Sequence, residues 1–351
     1  MRVHSVKVHV CDPVEAEGVR HAMEFHIGIL PRETVGHILK LGRAVEELGL
    51  AGVWIADSHS IMRDAYALLN LLAVQTSRIK LATGVTPTGT RHPAVLANSW
   101  ATLDEVSGGR GILGVGTGDS AVINLGLRPE KLAAFEEKIR VIRGLLRGEQ
   151  VEYEGSTIQM PWSHCDVPIV MACSGPKALR LGGRIADGIL FQVGASPAFV
   201  RYALDNIRLG AESAGRRLED LTLYMRLACA VHEDREKARD EVRGYASVAA
   251  GTVFKTVPRE YFDDELWEDA ERFKAGYNYI DHGSNKSRQA GLLTDRILDA
   301  IAVAGTPDEA VPRFRELAGM DIDGFVCPVG MADPLPYLQT FAEQVVPKVA
   351  A

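Results

Sequence analysis

The sequence predicts an α/β fold, a (β/α)8 barrel of the TIM type with insertions after the fourth and seventh strands. Short runs rich in Val, Ile and Leu recur along the 351 residues, and longer stretches with helical periodicity separate them. This is the pattern of a parallel sheet covered by helices. The number of runs reaches eight, the count that closes into a barrel with side chains filling its interior. Length alone leaves two architectures open, since 351 residues also suit two domains of about 150 each. The regular alternation favours one barrel domain over residues 1–351.

The strand candidates are residues 26–30, 52–56, 79–83, 111–116, 168–172, 188–192, 221–231 and 324–328. Helical segments fall near 33–48, 64–76, 92–106, 130–146, 175–185, 197–214, 234–249 and 307–318, with a last one near 334–347. Residues 1–22 precede the first strand and read as an extension outside the barrel. Residues 148–166, turning at Tyr153-Glu154-Gly155, read as a small hairpin or lid after the fourth unit. Residues 251–292 hold aromatic-rich helical pieces (Tyr261, Phe262, Trp267, Phe273, Tyr277, Tyr279). Both insertions are expected over the C-terminal face, where loops carry function.

Composition narrows the function classes. Lys and Arg total 39 against 46 Asp and Glu, a net charge of -7 without like-charge runs, which argues against nucleic acid or an anionic membrane as partner. No apolar run approaches the ~20 residues of a membrane span, and the N-terminus lacks a secretory signal, so the chain is expected to be soluble and cytoplasmic. The five cysteines, Cys11, Cys165, Cys173, Cys229 and Cys327, never occur as C-x-x-C. Neither a disulfide framework nor a metal site is expected.

In such a barrel the reacting groups gather just after the strands. Asp57-Ser58-His59 follows the second run, Thr83-Gly84-Val85 ends and follows the third, and Thr117-Gly118-Asp119 follows the fourth. His59, beside Asp57, has two readings: a general acid or base touching a bound ring, or a loop histidine satisfied locally. His92 precedes Pro93 at a helix start and reads as a structural cap. The Ser174-Gly175-Pro176-Lys177 turn opens a helix whose first N–H groups are free to meet a phosphate, with Lys177 adding positive charge. A capped turn with a solvated lysine is the alternative. No H-E-x-x-H is present, and Ser120 lacks the G-x-S-x-G elbow, so metal and serine hydrolysis lose weight. Tyr277-Asn278-Tyr279-Ile280-Asp281-His282 reads as a pocket cap or as core packing.

Together, Thr83-Gly84-Val85-Thr86-Pro87, Thr90-Arg91-His92-Pro93-Ala94, Ala101 to Arg110 (A-T-L-D-E-V-S-G-G-R) and Gly114 to Asp119 (G-V-G-T-G-D) resemble the bacterial luciferase-like superfamily of flavin and deazaflavin oxidoreductases. The likeness is nearest to its methylenetetrahydromethanopterin reductase-like branch. It continues through Ser174-Gly175-Pro176-Lys177, Ala186-Asp187-Gly188 and Val303 to Pro307, covering most of residues 23–345.

The resemblance implies FMN or F420 at the C-terminal face. By position it implies a bulge of Thr83, Gly84 and Val85 behind the ring, with a non-prolyl cis bond between Gly84 and Val85. Thr117, Gly118 and Asp119 would line the ring or ribityl side, Asp57 would also face the cofactor, and Ser174, Gly175, Pro176 and Lys177 would hold the phosphate. His59 is the catalytic candidate, displaced by Ser58 from the Asp-His pairing of some F420 enzymes. The leading expectation is a monooxygenase that oxidises a small organic substrate with reduced FMN and O2, fed by a separate flavin reductase. The alternative is an F420-dependent hydride-transfer enzyme. A non-catalytic flavin-binding barrel is a third reading, disfavoured by the intact phosphate turn. Family members usually pair, so a homodimer is expected.

Overall fold

The computed structural model describes residues 23–276, 290–331 and 333–350. Residues 1–22, with Cys11, and the Tyr277–His282 stretch lie outside them. Eight parallel strands form the barrel: β1 (Glu24–Ile29), β2 (Gly52–Ile55), β3 (Lys80–Thr83), β4 (Gly111–Gly116), β5 (Ile169–Cys173), β6 (Gly188–Phe191), β7 (Thr222–Arg226) and β8 (Gly324–Val329). Each pairs with its neighbours in chain order. The ring closes where Glu24 of β1 pairs with Gly324 of β8, so no strand edge is left open.

The principal helices are α1 (Val35–Glu47), α2 (Ala65–Gln75), α3 (Pro93–Ser107), α4 (Leu132–Leu146), α5 (Pro176–Ile185), α6 (Pro197–Glu212), α7 (Arg235–Thr256), α8 (Asp264–Gly276), α9 (Asp295–Ile301) and α10 (Pro307–Ala318), with a C-terminal helical run from Leu335 to Ala350. Their starts are written in the sequence. The Asp64 carboxylate accepts from the N–H of Ala67, Thr306 and Glu309 form a capping box, and the His92 ring accepts from the N–H of Ala94. His92 is thus a helix cap, as its sequence context suggested.

Alternation along the strands sorts side chains into two cores. Val53, Leu81, Leu113, Ile169, Ile189, Leu223 and Phe325 point outward into the layer shared with the helices. Their neighbours Trp54, Ala82, Ile112, Val170, Leu190, Tyr224 and Val326 form a separate cluster inside the barrel. His26 of β1 completes that layer, with ring contacts to Tyr224 at 5.2 Å and Trp54 at 6.1 Å. Two residues further along, the inward positions are Gly28, Ala56, Gly84, Gly114, Ala172, Gln192, Arg226 and Pro328. Five of these eight are Gly or Ala, so side chains cannot fill the barrel there. The C-terminal end of the barrel is hollow for that reason.

Three elements differ from the sequence reading. The apolar run 221–231 divides: Thr222–Arg226 belongs to the barrel, whereas Ala228–Val231 leaves it and pairs with Ala302–Gly305. The latter strand went unread because Ala and Gly carry little β-propensity, and its partner supplies the reason it is extended. The helix expected to end at 249 continues to Thr256. The 148–166 segment does contain a hairpin, Val151–Tyr153 against Ser156–Ile158, but it leaves the far end of α4 and packs outside, Tyr153 meeting the His92 ring at 5.3 Å. It sends no side chain into the cleft described next.

Candidate active site

A cleft of about 610 Å3 opens at the C-terminal ends of the strands. Gly84, Gly116, Ala172, Leu190 and Pro328 make its floor, and α7 roofs it with Val242, Tyr245, Val248, Thr252 and Lys255. The peptide between Gly84 and Val85 is cis, as the resemblance implied. Thr83 is fully buried behind this bulge, where its hydroxyl donates to the Gly114 carbonyl at 2.7 Å, so it supports the floor without lining it.

The phosphate-turn expectation divides at Lys177. Ser174, Gly175 and Ala178 line the cleft; Pro176 occupies the first turn of α5, and no side chain caps that helix. The N–H groups of Lys177 and Ala178 therefore sit outside the helical ladder, beside the cleft, with the positive end of the helix. The Lys177 side chain is exposed and does not line the cleft. Lys255, at the end of α7, does line it. The Tyr202 hydroxyl ties the two helix ends together through the Ser174 and Thr256 carbonyls, at 3.5 and 3.0 Å.

Asp57 lines the opposite wall and is already neutralised. Its Oδ2 accepts from Thr86 Oγ1 and Arg91 Nη1, both at 2.7 Å, and Arg91 lies over the Tyr66 ring. The Tyr66 hydroxyl donates to Thr86, and burial pushes it up to about 12, which keeps it a donor. His59 is fastened behind Asp57: Nδ1 is 3.3 Å from Asp57 Oδ1 and Nε2 is 2.8 Å from Thr90 Oγ1. It does not line the cleft.

Thr117, Gly118 and Asp119 do line it, with Gly118 at φ +103°, a conformation only glycine adopts readily. The Asp119 carboxylate has no hydrogen-bond or ion-pair partner among the described residues. Sequence reasoning missed Arg226, Gln192 and Tyr245. Arg226 ends β7 and would have been found had the 221–231 run been divided at that residue.

The barrel closes strand by strand, its C-terminal end is hollow, and a cis bulge lies on its floor. Residues 6–324 match the luciferase-like monooxygenase family. The chain belongs to that family. It is 34% identical over 318 residues to a 5,10-methylenetetrahydromethanopterin reductase from Methanolobus tindarius, covering 88% of this chain and 95% of the relative. It is 31% identical over 331 residues to an F420-dependent glucose-6-phosphate dehydrogenase from Nakamurella multipartita, covering 89% and 91%. The solved coenzyme F420-dependent tetrahydromethanopterin reductase from Methanopyrus kandleri superposes with a TM-score of 0.78 at 25% identity, covering 93% of this chain and 99% of that one. Membership makes the chain an oxidoreductase. No described helix is long and apolar enough to cross a membrane.

Proposed function

We propose that this oxidoreductase uses F420 to move a hydride to or from a small organic substrate. The reading is carried by the match along nearly the whole chain to relatives named for F420 or for a reductase reaction, combined with a cleft that fits such a cofactor. FMN with oxygen, the first expectation from sequence, has only the shared fold behind it. The separate flavin reductase goes with it.

The fit rests on the chain itself. The Gly and Ala floor leaves room for a planar ring, and the free N-terminus of α5 with Lys255 offers an anion site at one end of the cleft. Ser174, Gly175 and Lys255 would hold the phosphate, while Gly84, Val85, Thr117 and Gly118 would flank the ring. When bound, F420 supplies two-electron hydride chemistry, and the protein supplies orientation and exclusion of water. Hydride transfer to or from a carbonyl or imine carbon also needs a proton moved. Asp119, unpaired at the cleft wall, is suited to hold it, whereas Asp57 is engaged by Arg91. His59 then acts as a positioning residue through Asp57.

Titration of the protein with F420 and, separately, with FMN tests the reading. Tight F420 binding and oxygen-independent F420 reduction or oxidation are expected. Selective binding of FMN with oxygen uptake would overturn it. We also propose a homodimer through the α2 and α3 face, because Leu71 and Val74 of α2 and Val95 and Val106 of α3 are exposed on two helices that pack against each other. Light scattering that finds a monomer at micromolar concentration would refute this.

A further inference from the structure

Arg226 is half-buried at the inner wall of the cleft, and among the described residues no carboxylate pairs with it. Its Nη1 donates to the Gly84 carbonyl at 3.0 Å, and its guanidinium lies over the Tyr245 ring at 5.5 Å. These two contacts hold the group at the cleft wall. Its Nε is buried without any acceptor. The Tyr245 hydroxyl is a further polar partner of the guanidinium, so what Arg226 offers the cleft is a held positive charge with no carboxylate against it.

The neighbouring donor is oriented the same way. The Tyr245 hydroxyl donates to Gln192 Oε1 at 2.8 Å, which commits the amide oxygen and leaves its NH2 group to point elsewhere. Arg226 and Gln192 both line the cleft, so its inner end presents a positive charge and an amide donor; Glu241 also lines the cleft. A partly desolvated cation without a counter-ion is costly, and a bound anion removes that cost.

From this juxtaposition we propose that Arg226 and Gln192 form an oxyanion subsite that selects substrates carrying a carboxylate or phosphate near the reacting carbon. The assignment of the reacting carbon to this cleft rests on the F420 reading; the subsite itself rests on the donors. It lies apart from the anion site at α5 and Lys255, to which the cofactor phosphate is assigned.

The test is calorimetric titration of benzoate, phenyl phosphate and neutral benzamide into the protein with and without saturating F420. Benzoate or phenyl phosphate should bind and benzamide should not, and the stronger of the two anions tells which class the subsite takes. Arg226→Met should weaken that anion by at least about thirtyfold, since breaking such a pair costs roughly 2 kcal/mol or more. Arg226→Lys, which keeps the charge without the planar guanidinium, should fall between and guards against misfolding of the Met variant. The F420 dissociation constant should change less than that of the anion in both, because Arg226 touches the proposed ring site only through the Gly84 carbonyl. Equal anion binding by wild type and Arg226→Met, or loss of F420 affinity in place of anion affinity, would overturn the subsite. If F420 does not bind yet the anion does so through Arg226, the subsite stands and the cofactor reading falls.

Discussion

The Thr83 hydroxyl donates to the Gly114 carbonyl at 2.7 Å, and a Cβ placed on Gly114 would stand 1.9 Å from the Thr83 carbonyl oxygen. The two strands meet so closely behind the cleft floor that neither backbone can give way alone. The floor on which the ring is proposed to lie is held by this contact.

Gly114→Ala should therefore destabilise the fold by about 3 kcal/mol, at the upper end of the range for overpacking a core, and should also weaken F420. Thr83→Val keeps the volume and removes one hydrogen bond, for about 1 kcal/mol. Urea unfolding of both variants, with F420 titration of the folded proteins, measures this. An Ala variant as stable as wild type would show that the floor is not rigid.

Lys255 and Lys177 offer opposite expectations for the phosphate. Lys255→Met should weaken F420 by about tenfold or more, the scale of a lost charge-assisted hydrogen bond, whereas Lys177→Met should change it little. Fluorescence titration of the cofactor separates them. A larger effect at the exposed Lys177 would return the phosphate to the position the sequence suggested.

Asp119→Asn should lower turnover by about 10²–10⁴ and leave F420 affinity nearly intact, as expected of a proton-handling group. His59→Ala should cost less, because the ring reaches the cleft only through Asp57. Steady-state rates on the same substrate compare the two, and the reverse ranking would restore His59 to the chemistry.

Acid should loosen the lower end of the barrel. Burial pushes the Glu24 carboxyl up, but hydrogen bonds from His26 and Lys80, with the Lys80 charge, outweigh it and hold it at about 2, below its ordinary 4.5. Burial lowers His26, which stays neutral and donates from Nε2 to Glu24 Oε2 at 2.8 Å. Both shifts give the unfolded chain more protons than the folded one as pH falls, so stability rises with pH through these windows. The His26 contribution is lost as pH drops below its ordinary 6.5, and that of Glu24 between 4.5 and about 2. Thermal melts against pH should show Glu24→Gln less stable at pH 7 but with a shallower acid decline; parallel curves would refute the assignment.

The eight strands were legible because buried parallel strands are unbroken runs of Val, Ile and Leu, and the helices between them carry caps such as Asp64 and Thr306. The turn at Ser174-Gly175 was legible too, from the proline that opens its helix, and the bulge at Gly84-Val85 from the family resemblance. Tertiary structure alone decided the rest. Whether a lysine faces the cleft depends on which side of a helix end it leaves, and it is Lys255, not Lys177, that lines it. Whether Arg226 ends a barrel strand depends on a partner at Ala302–Gly305, far away in sequence, which draws Ala228–Val231 out of the barrel. Side-chain direction and long-range pairing are fixed by packing, and a local pattern does not contain them.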